Sequence, residues 1–227
     1  MIKMKYQKSL LVLIATLFAL SGCKKDKTTT EQPFVATEYF IAGTITPKSG
    51  SYASVYFIKI MENNKAVFMG SGNDFTGDYT LTKDSLIVTI SDPNNYRIAK
   101  FAINDQHQLT QAYYRALTTE YNATGELIKI EDTNQLAGKS FKGEEFKMGS
   151  VSFRKDLIYK FGATGTTYGS SLDASAINDK ANTYELINNS AFKYKSGSNV
   201  ELGFVANKKL TVFRLSGLYY YGKYEQQ

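Results

Sequence analysis

An all-β fold, an antiparallel meander closed as a barrel or packed as a sandwich, is what this 227-residue chain predicts. Its seventeen tyrosines and fourteen phenylalanines, set against three prolines and no tryptophan, favour strands. From Glu38 onward short apolar alternations of period two are broken by polar turns. No window of a dozen residues carries the three-and-four spacing of a long amphipathic helix.

Glu38 to Thr46, Ala53 to Ile60 and Lys65 to Gly70 read as the first strands, separated by Pro-Lys-Ser-Gly and Glu-Asn-Asn-Lys. Tyr79, Leu81, Leu86, Val88 and Ile90 alternate on either side of Thr82-Lys83-Asp84-Ser85, a hairpin pattern. Further strands follow at Tyr96 to Ile103 and Leu109 to Leu117, with Asn104-Asp105-Gln106-His107 as their turn. Glu120 to Gly125 reads as a linker before a short strand at Leu127 to Ile130. These make a first β-half, 37–131.

The second β-half, 132–227, opens on a polar break and resumes at Lys139 to Lys147, Val151 to Arg154 and Leu157 to Phe161. Later strands are expected at Thr183 to Asn188, Ala191 to Lys195, Glu201 to Val205, Lys209 to Leu215 and Leu218 to Tyr224. The interval 162–182 is rich in small residues and reads as a long loop, with one or two helical turns over Ser171 to Lys180. A faint internal repeat sets Tyr79 on Tyr184, Leu81 on Leu186, Ser85 on Ser190 and Ile87 on Phe192. Duplication of one antiparallel unit explains it, and so does convergence among tyrosine-rich hairpins. Either way, short turns join neighbouring strands in a meander, whose halves close one barrel or sandwich or form two small β-domains in series.

Ahead of this lie Lys3, Lys5 and Lys8, an uncharged run from Ser9 to Gly22 built around Leu10 to Leu20, and then Cys23. The run is shorter than the about 20 apolar residues that cross a bilayer. Basic start, apolar run and small residues before the end are the layout of a secretory signal. Leu20-Ser21-Gly22-Cys23 resembles the lipobox of the bacterial lipoprotein signal. That resemblance implies removal of residues 1–22, diacylglycerol on the Cys23 sulfur and an acyl group on its amine. Two or three chains, at about 0.8 kcal/mol per buried CH₂, anchor a protein stably.

Residues 23–36 then form the lipidated cysteine and a polar tether. Its Lys24-Lys25-Asp26-Lys27 resembles the charged segments with which Bacteroidetes-type bacteria export lipoproteins to the cell surface; solubility of a linker is the other reading. The expected location is the cell envelope, at the outer membrane, facing periplasm or exterior. Without residues 1–22, 205 residues remain, and the 27 basic residues fall to 24 against 21 acidic, a net charge of +3. The lysines are dispersed, so nothing calls for nucleic acid.

An acylated Cys23 leaves no thiol for disulfide or redox chemistry. His107 is the sole histidine, which excludes a histidine-rich zinc site and cysteine–histidine catalysis within one chain. Glu144-Glu145 would point to opposite faces of a strand, while Asn73 to Asp78 has oxygen ligands without the spacing or final glutamate of a calcium loop and reads as a turn. Gly162-Ala163-Thr164-Gly165 lacks the Lys-Ser or Lys-Thr of a phosphate loop. No catalytic or metal residue and no cofactor is assigned, and an enzyme is not expected.

Aromatic side chains are the positive clue. Tyr113 and Tyr114 end the first half, and Tyr219, Tyr220, Tyr221 and Tyr224 the second. Tyr219 and Tyr221 share one strand face, and with Tyr113 they are the ligand-binding candidates, against the alternative that these rings fill a β-core. The turn units Gly77-Asp78-Tyr79-Thr80-Leu81 and Asn182-Thr183-Tyr184-Glu185-Leu186 look like those of lipocalin-like β-barrel lipoproteins of Bacteroidetes. The resemblance covers Ala36 to Glu225 and implies an antiparallel barrel, often with an internal cavity; the Gly-x-Trp lipocalin signature is absent. The expected function is non-enzymatic binding of a small apolar ligand, a glycan or an envelope protein by a membrane-anchored domain. The alternatives are an assembly or adhesion subunit acting through protein–protein contacts and a carboxylate-dependent hydrolase of an envelope polymer.

Overall fold

Inward and outward side chains alternate along two antiparallel sheets in the computed structural model, which describes residues 34–227. The signal segment, Leu20, Ser21, Gly22 and Cys23, and most of the tether lie outside the described residues.

The first sheet comprises β1 (Tyr39–Pro47), β2 (Ser54–Ile60), β3 (Lys65–Met69), β4 (Phe75–Leu81), β5 (Ser85–Ile90), β6 (Arg97–Ile103), β7 (Leu109–Ala116), β8 (Thr119–Ala123) and β9 (Glu126–Lys129). Each strand from β1 to β8 pairs with the next, and β1 closes the ring. One edge of β1 pairs with β2, from Phe40↔Lys59 to Ile45↔Ser54. The other pairs first with β9, Tyr39↔Lys129 to Ala42↔Glu126, and then with β8, Ile45↔Ala123 to Pro47↔Tyr121. β8 and β9 thus act as one strand interrupted at Thr124-Gly125, and the result is an up-and-down barrel. Gly43 sits opposite the interruption. A Cβ there would lie 2.0 Å from the Thr124 carbonyl oxygen, so only glycine lets the two backbones approach.

The second sheet repeats the plan with β10 (Ser140–Lys147), β11 (Val151–Phe161), β12 (Thr167–Ser171), β13 (Asn182–Thr183), β14 (Glu185–Ile187), β15 (Ala191–Ser196), β16 (Asn199–Ala206), β17 (Lys209–Ser216) and β18 (Leu218–Gln226). β13 and β14, parted only by Tyr184, pair with β12 and β15 respectively, so the two ends of the sheet meet in one strand. Primed-type hairpin turns fit the local sequence: Asn63-Asn64, Asn188-Asn189 and Asn207-Lys208 each hold two successive residues at positive φ.

The repeat seen in sequence falls on equivalent strands, since β4 and the β13–β14 strand are each fourth in their barrel. Its register slips after the turn. Phe192 packs in the interior core of the second barrel, whereas Leu86, Val88 and Ile90, not Ile87, are the buried residues of β5.

Four segments differ from expectation. Phe75 to Asp78, in a stretch that reads as a turn, is the first half of β4. Val151 to Arg154 and Leu157 to Phe161 run together as β11, with a bulge where Asp156 sits at φ 60°. The other two lie at 120–125 and 162–182. Residues 120–125 were expected as a linker, yet Thr119–Ala123 is β8, held by pairing to both β7 and β1 and by the Tyr121 ring 5.1 Å from that of Tyr114. Inside the interval 162–182, Thr167–Ser171 forms β12, burying Tyr168 beside Gly169; a Cβ at Gly169 would meet the Asn178 carbonyl oxygen at 2.0 Å. The small residues there let the following segment, with its short 3-10 turn Ala174–Ala176, fold back over the strand.

Outward faces of the two barrels share a core. Phe40, Ala42, Val55, Phe57 and Met69 pack with Ile187, Ala191, Val200, Leu202, Phe204 and Phe213. Phe57 meets Phe204 edge-on at 6.5 Å, and Lys193 pairs with Asp74 at 2.8 Å. β2 therefore buries both faces, which is why Ser54 to Ile58 reads as a nearly unbroken apolar run.

Candidate ligand-binding mouth of the first barrel

Tyr56 on β2, Phe68 on β3 and Tyr114 on β7 point into the first barrel near one end. Their rings lie nearly parallel: Tyr56 to Phe68 5.4 Å at 8°, Phe68 to Tyr114 5.1 Å at 7°, and Tyr56 to Tyr114 6.1 Å at 12°. Parallel, laterally separated rings are a favoured aromatic arrangement. The Tyr56 hydroxyl donates to the Thr124 carbonyl at 2.8 Å, so the polar tip of this buried ring is satisfied at the barrel seam. Burial raises the Tyr56 phenol far above its ordinary range. It pushes the Tyr114 phenol up to about 12, with the Arg97 guanidinium pulling the other way. Both rings are neutral at ordinary pH and act as apolar surface with one hydroxyl each.

Above these rings opens a cavity of about 250 Å³, bounded by Tyr52, Phe75, Tyr121 and, from the second barrel, Phe213 and Tyr219. Tyr52 and Tyr219 stack at 4.3 Å and 13°, and both also line a neighbouring apolar cavity of about 270 Å³ with Phe146, Met148, Tyr220 and Tyr221. Arg97 enters the mouth from β6. Its guanidinium carbon lies 3.6 Å from the Phe75 ring centroid, and Nη1 donates to the Asn95 carbonyl at 2.7 Å. The cation–π contact and this hydrogen bond fix its direction.

The second barrel is filled instead. Phe141, Tyr159, Phe161, Tyr168, Phe192 and Tyr224 are at most 1 % exposed and make mutual ring contacts. Toward one end this core holds a polar group of four: Arg214 Nε and Nη2 donate to the two Glu145 oxygens at 2.9 and 2.8 Å, and the Tyr168 hydroxyl donates to Glu201 at 2.8 Å. Burial raises the Glu201 carboxyl to about 6, against the pull of the Tyr168 hydrogen bond and Arg214. A bidentate fork on Glu145 satisfies a charge that would otherwise be costly to bury.

Of the three tyrosines singled out from sequence, the structure brings two together. Tyr219 borders both cavities and Tyr221 lines the second, where burial lifts its phenol to about 12. Tyr113 lies apart, on the outer face of the first barrel opposite Lys100 and Asn122, its hydroxyl donating to Glu120 at 3.2 Å. Its neighbour Tyr114 takes the inward position. Arg97 was legible in principle, because it shares its strand face with the buried Ala99, Phe101 and Ile103.

The remaining polar candidates have local partners. Glu144 accepts from the Ser152 hydroxyl while Glu145 turns inward, so the adjacent glutamates do part to opposite faces. Asp74 pairs with Lys193 and Asp78 with Lys65. His107 occupies the β6–β7 turn at φ 57°, its N–H donating to the Asn104 carbonyl. Gly162 and Gly165 belong to the β11–β12 turn. Among the described residues, no group of three or more His, Cys, Asp or Glu side chains is arranged to hold a metal ion.

The all-β barrel form is broadly that of lipocalin-like and similar barrels. Comparison with protein-family models, with curated proteins and with solved structures found no match to the chain.

Proposed function

We propose that this protein is a lipid-anchored component of a bacterial cell envelope, of the Bacteroidetes type, that binds a small ring-bearing or apolar ligand without transforming it. The observation that carries the binding role is the mouth of the first barrel, where near-parallel rings line a cavity of about 250 Å³. Pockets for small molecules are concave and mostly apolar with a few oriented polar groups, and this one has tyrosine hydroxyls and one guanidinium. Its volume lies just below the roughly 300–1,000 Å³ of sites for drug-sized molecules, which favours a ligand of one or two rings. A sugar ring is a second occupant of the same chemistry, since tyrosine faces stack on sugars as they do on aromatics.

The test is titration with 6-propionyl-2-(dimethylamino)naphthalene, a two-ring dye whose emission shifts to shorter wavelength and brightens in apolar surroundings. The native protein should bind it saturably, and Tyr52→Ala with Tyr121→Ala, which strip the rim while leaving the inner rings, should weaken binding about tenfold or more. Equal binding by native and rim variant would place the probe elsewhere and refute the site. The anchor is tested separately: Cys23→Ser should move the protein from the membrane fraction to the soluble one. Membrane retention of that variant at high salt would refute lipidation at Cys23.

Contact with another envelope protein is the second reading. Met148 and Val151 at the β10–β11 turn, Phe153 and Leu218 are exposed on neighbouring hairpins of the second barrel. Closure of both sheets argues against strand addition as its mode.

A further inference from the structure

Arg97 is the one charged side chain among the described residues that line the mouth of the first barrel; the others are aromatic, aliphatic or small and polar. The ion pairs formed among the described residues do not include it. A guanidinium keeps its proton in any protein environment and offers five N–H donors in a rigid fork. Here Phe75 supports one face of that fork and the Asn95 carbonyl takes one hydrogen from Nη1. The contrast with Arg214 is instructive: in the second barrel an inward arginine is neutralised by both oxygens of Glu145. In the first barrel the equivalent need, an anion beside an inward arginine, is not met by the protein's own carboxylates.

We propose that the ligand of this mouth is a planar aromatic anion of one or two rings, its carboxylate or equivalent acidic group pairing with Arg97 and its rings lying against Tyr56, Phe68 and Tyr114. This rests on the binding role proposed above and specifies its chemistry. The geometry supports both parts. Phe75 and Asn95 hold the guanidinium at the cavity wall, so little side-chain freedom is lost when an anion docks. The cavity, about 250 Å³ and walled mainly by aromatic and small side chains, suits a compact ring system better than a long flexible acyl chain.

The experiment is isothermal titration of the whole folded domain with 2-naphthoate and with 2-naphthamide, which share shape and differ in charge. The expected result is that naphthoate binds about 10- to 100-fold more tightly than naphthamide, as a charge-assisted fork contact provides. Arg97→Gln should bring naphthoate down to the naphthamide level while leaving naphthamide within about twofold. Arg97→Lys should keep part of the preference, because an ammonium retains the charge without the fork; it also serves if the glutamine variant folds poorly. Naphthamide binding as tightly as naphthoate, or an undiminished preference in Arg97→Gln, would overturn the anionic ligand and leave the cavity's binding role standing. Failure of both compounds together with 6-propionyl-2-(dimethylamino)naphthalene would overturn that role, and this inference with it.

Discussion

Glu145 is 1 % exposed, and it remains in the interior because Arg214 reaches both of its oxygens. Removing one member of such a pair leaves the other buried and uncompensated. Glu145→Ala should therefore cost about 3–5 kcal/mol in urea unfolding, whereas replacing Glu145 and Arg214 together by apolar residues should cost much less. Equal losses in the two variants would contradict this account. Glu201 gives a pH signature of the opposite kind. Its folded carboxyl titrates near 6, raised from 4.5 chiefly by burial, so between those values the native state holds protons that the unfolded chain has released. Stability then falls as pH rises through that window. Glu201→Gln keeps an acceptor for the Tyr168 hydroxyl and removes the titration. It should exceed the native protein by about 1–2 kcal/mol at pH 7, with the gap narrowing toward pH 4. Parallel stability profiles for the two proteins from pH 4 to 7 would rule this out.

Strand β1 decides whether the first sheet is open or closed, since it alone pairs with β2 on one edge and with β8 and β9 on the other. Gly43 permits that seam. Gly43→Ala puts a methyl into the Thr124 carbonyl and should cost at least about 1–3 kcal/mol as overpacking. Gly72→Ala, where a Cβ meets nothing within 4 Å, should stay within about 0.5 kcal/mol of the native protein. Thermal unfolding of both variants checks the comparison, and a harmless Gly43→Ala would mean that the seam has room for a methyl group. Period-two alternation made β1 to β3 and β5 to β7 readable in the sequence, because each carries enough apolar residues on one face. Only the Tyr79–Leu81 half of β4 was, since Phe75 to Asp78 carries one aromatic among turn-forming residues. β8 and β12 were not readable, because pairing and one aromatic apiece, Tyr121 and Tyr168, hold them rather than a row of apolar residues. The same limit applies to the mouth. Adjacent Tyr113 and Tyr114 are chemically alike, and alternation alone does not say which of the two faces the interior. Only the registers Lys100↔Tyr113 and Ala99↔Tyr114 place Tyr114 inside. Closure is a pairing between the two ends of a long segment, and no local pattern announces it.

The two barrels do not meet as finished bodies touching at polar surfaces. β2, β16 and β17 each give one face to their own barrel and the other to a common core, so neither barrel buries those strands fully by itself. Tyr219 and Phe213 of the second barrel also wall the mouth of the first, which makes the candidate site dependent on the same packing. Unfolding should accordingly be one cooperative transition followed alike by far-ultraviolet dichroism and by tyrosine fluorescence, with a single midpoint in urea. Phe57→Ala should lower stability by about 3–5 kcal/mol, and so should Phe204→Ala. Their double variant should lose less than the sum of the singles by about 0.5–1.5 kcal/mol, the coupling expected of an edge-on aromatic pair in contact. Because the mouth borrows walls from the second barrel, Phe204→Ala should also weaken naphthoate binding under conditions where the variant is still folded. Two resolved transitions in the native protein, or additive losses with unaltered ligand binding, would show instead that each barrel stands on its own core and that the shared aromatic layer is only a contact between them.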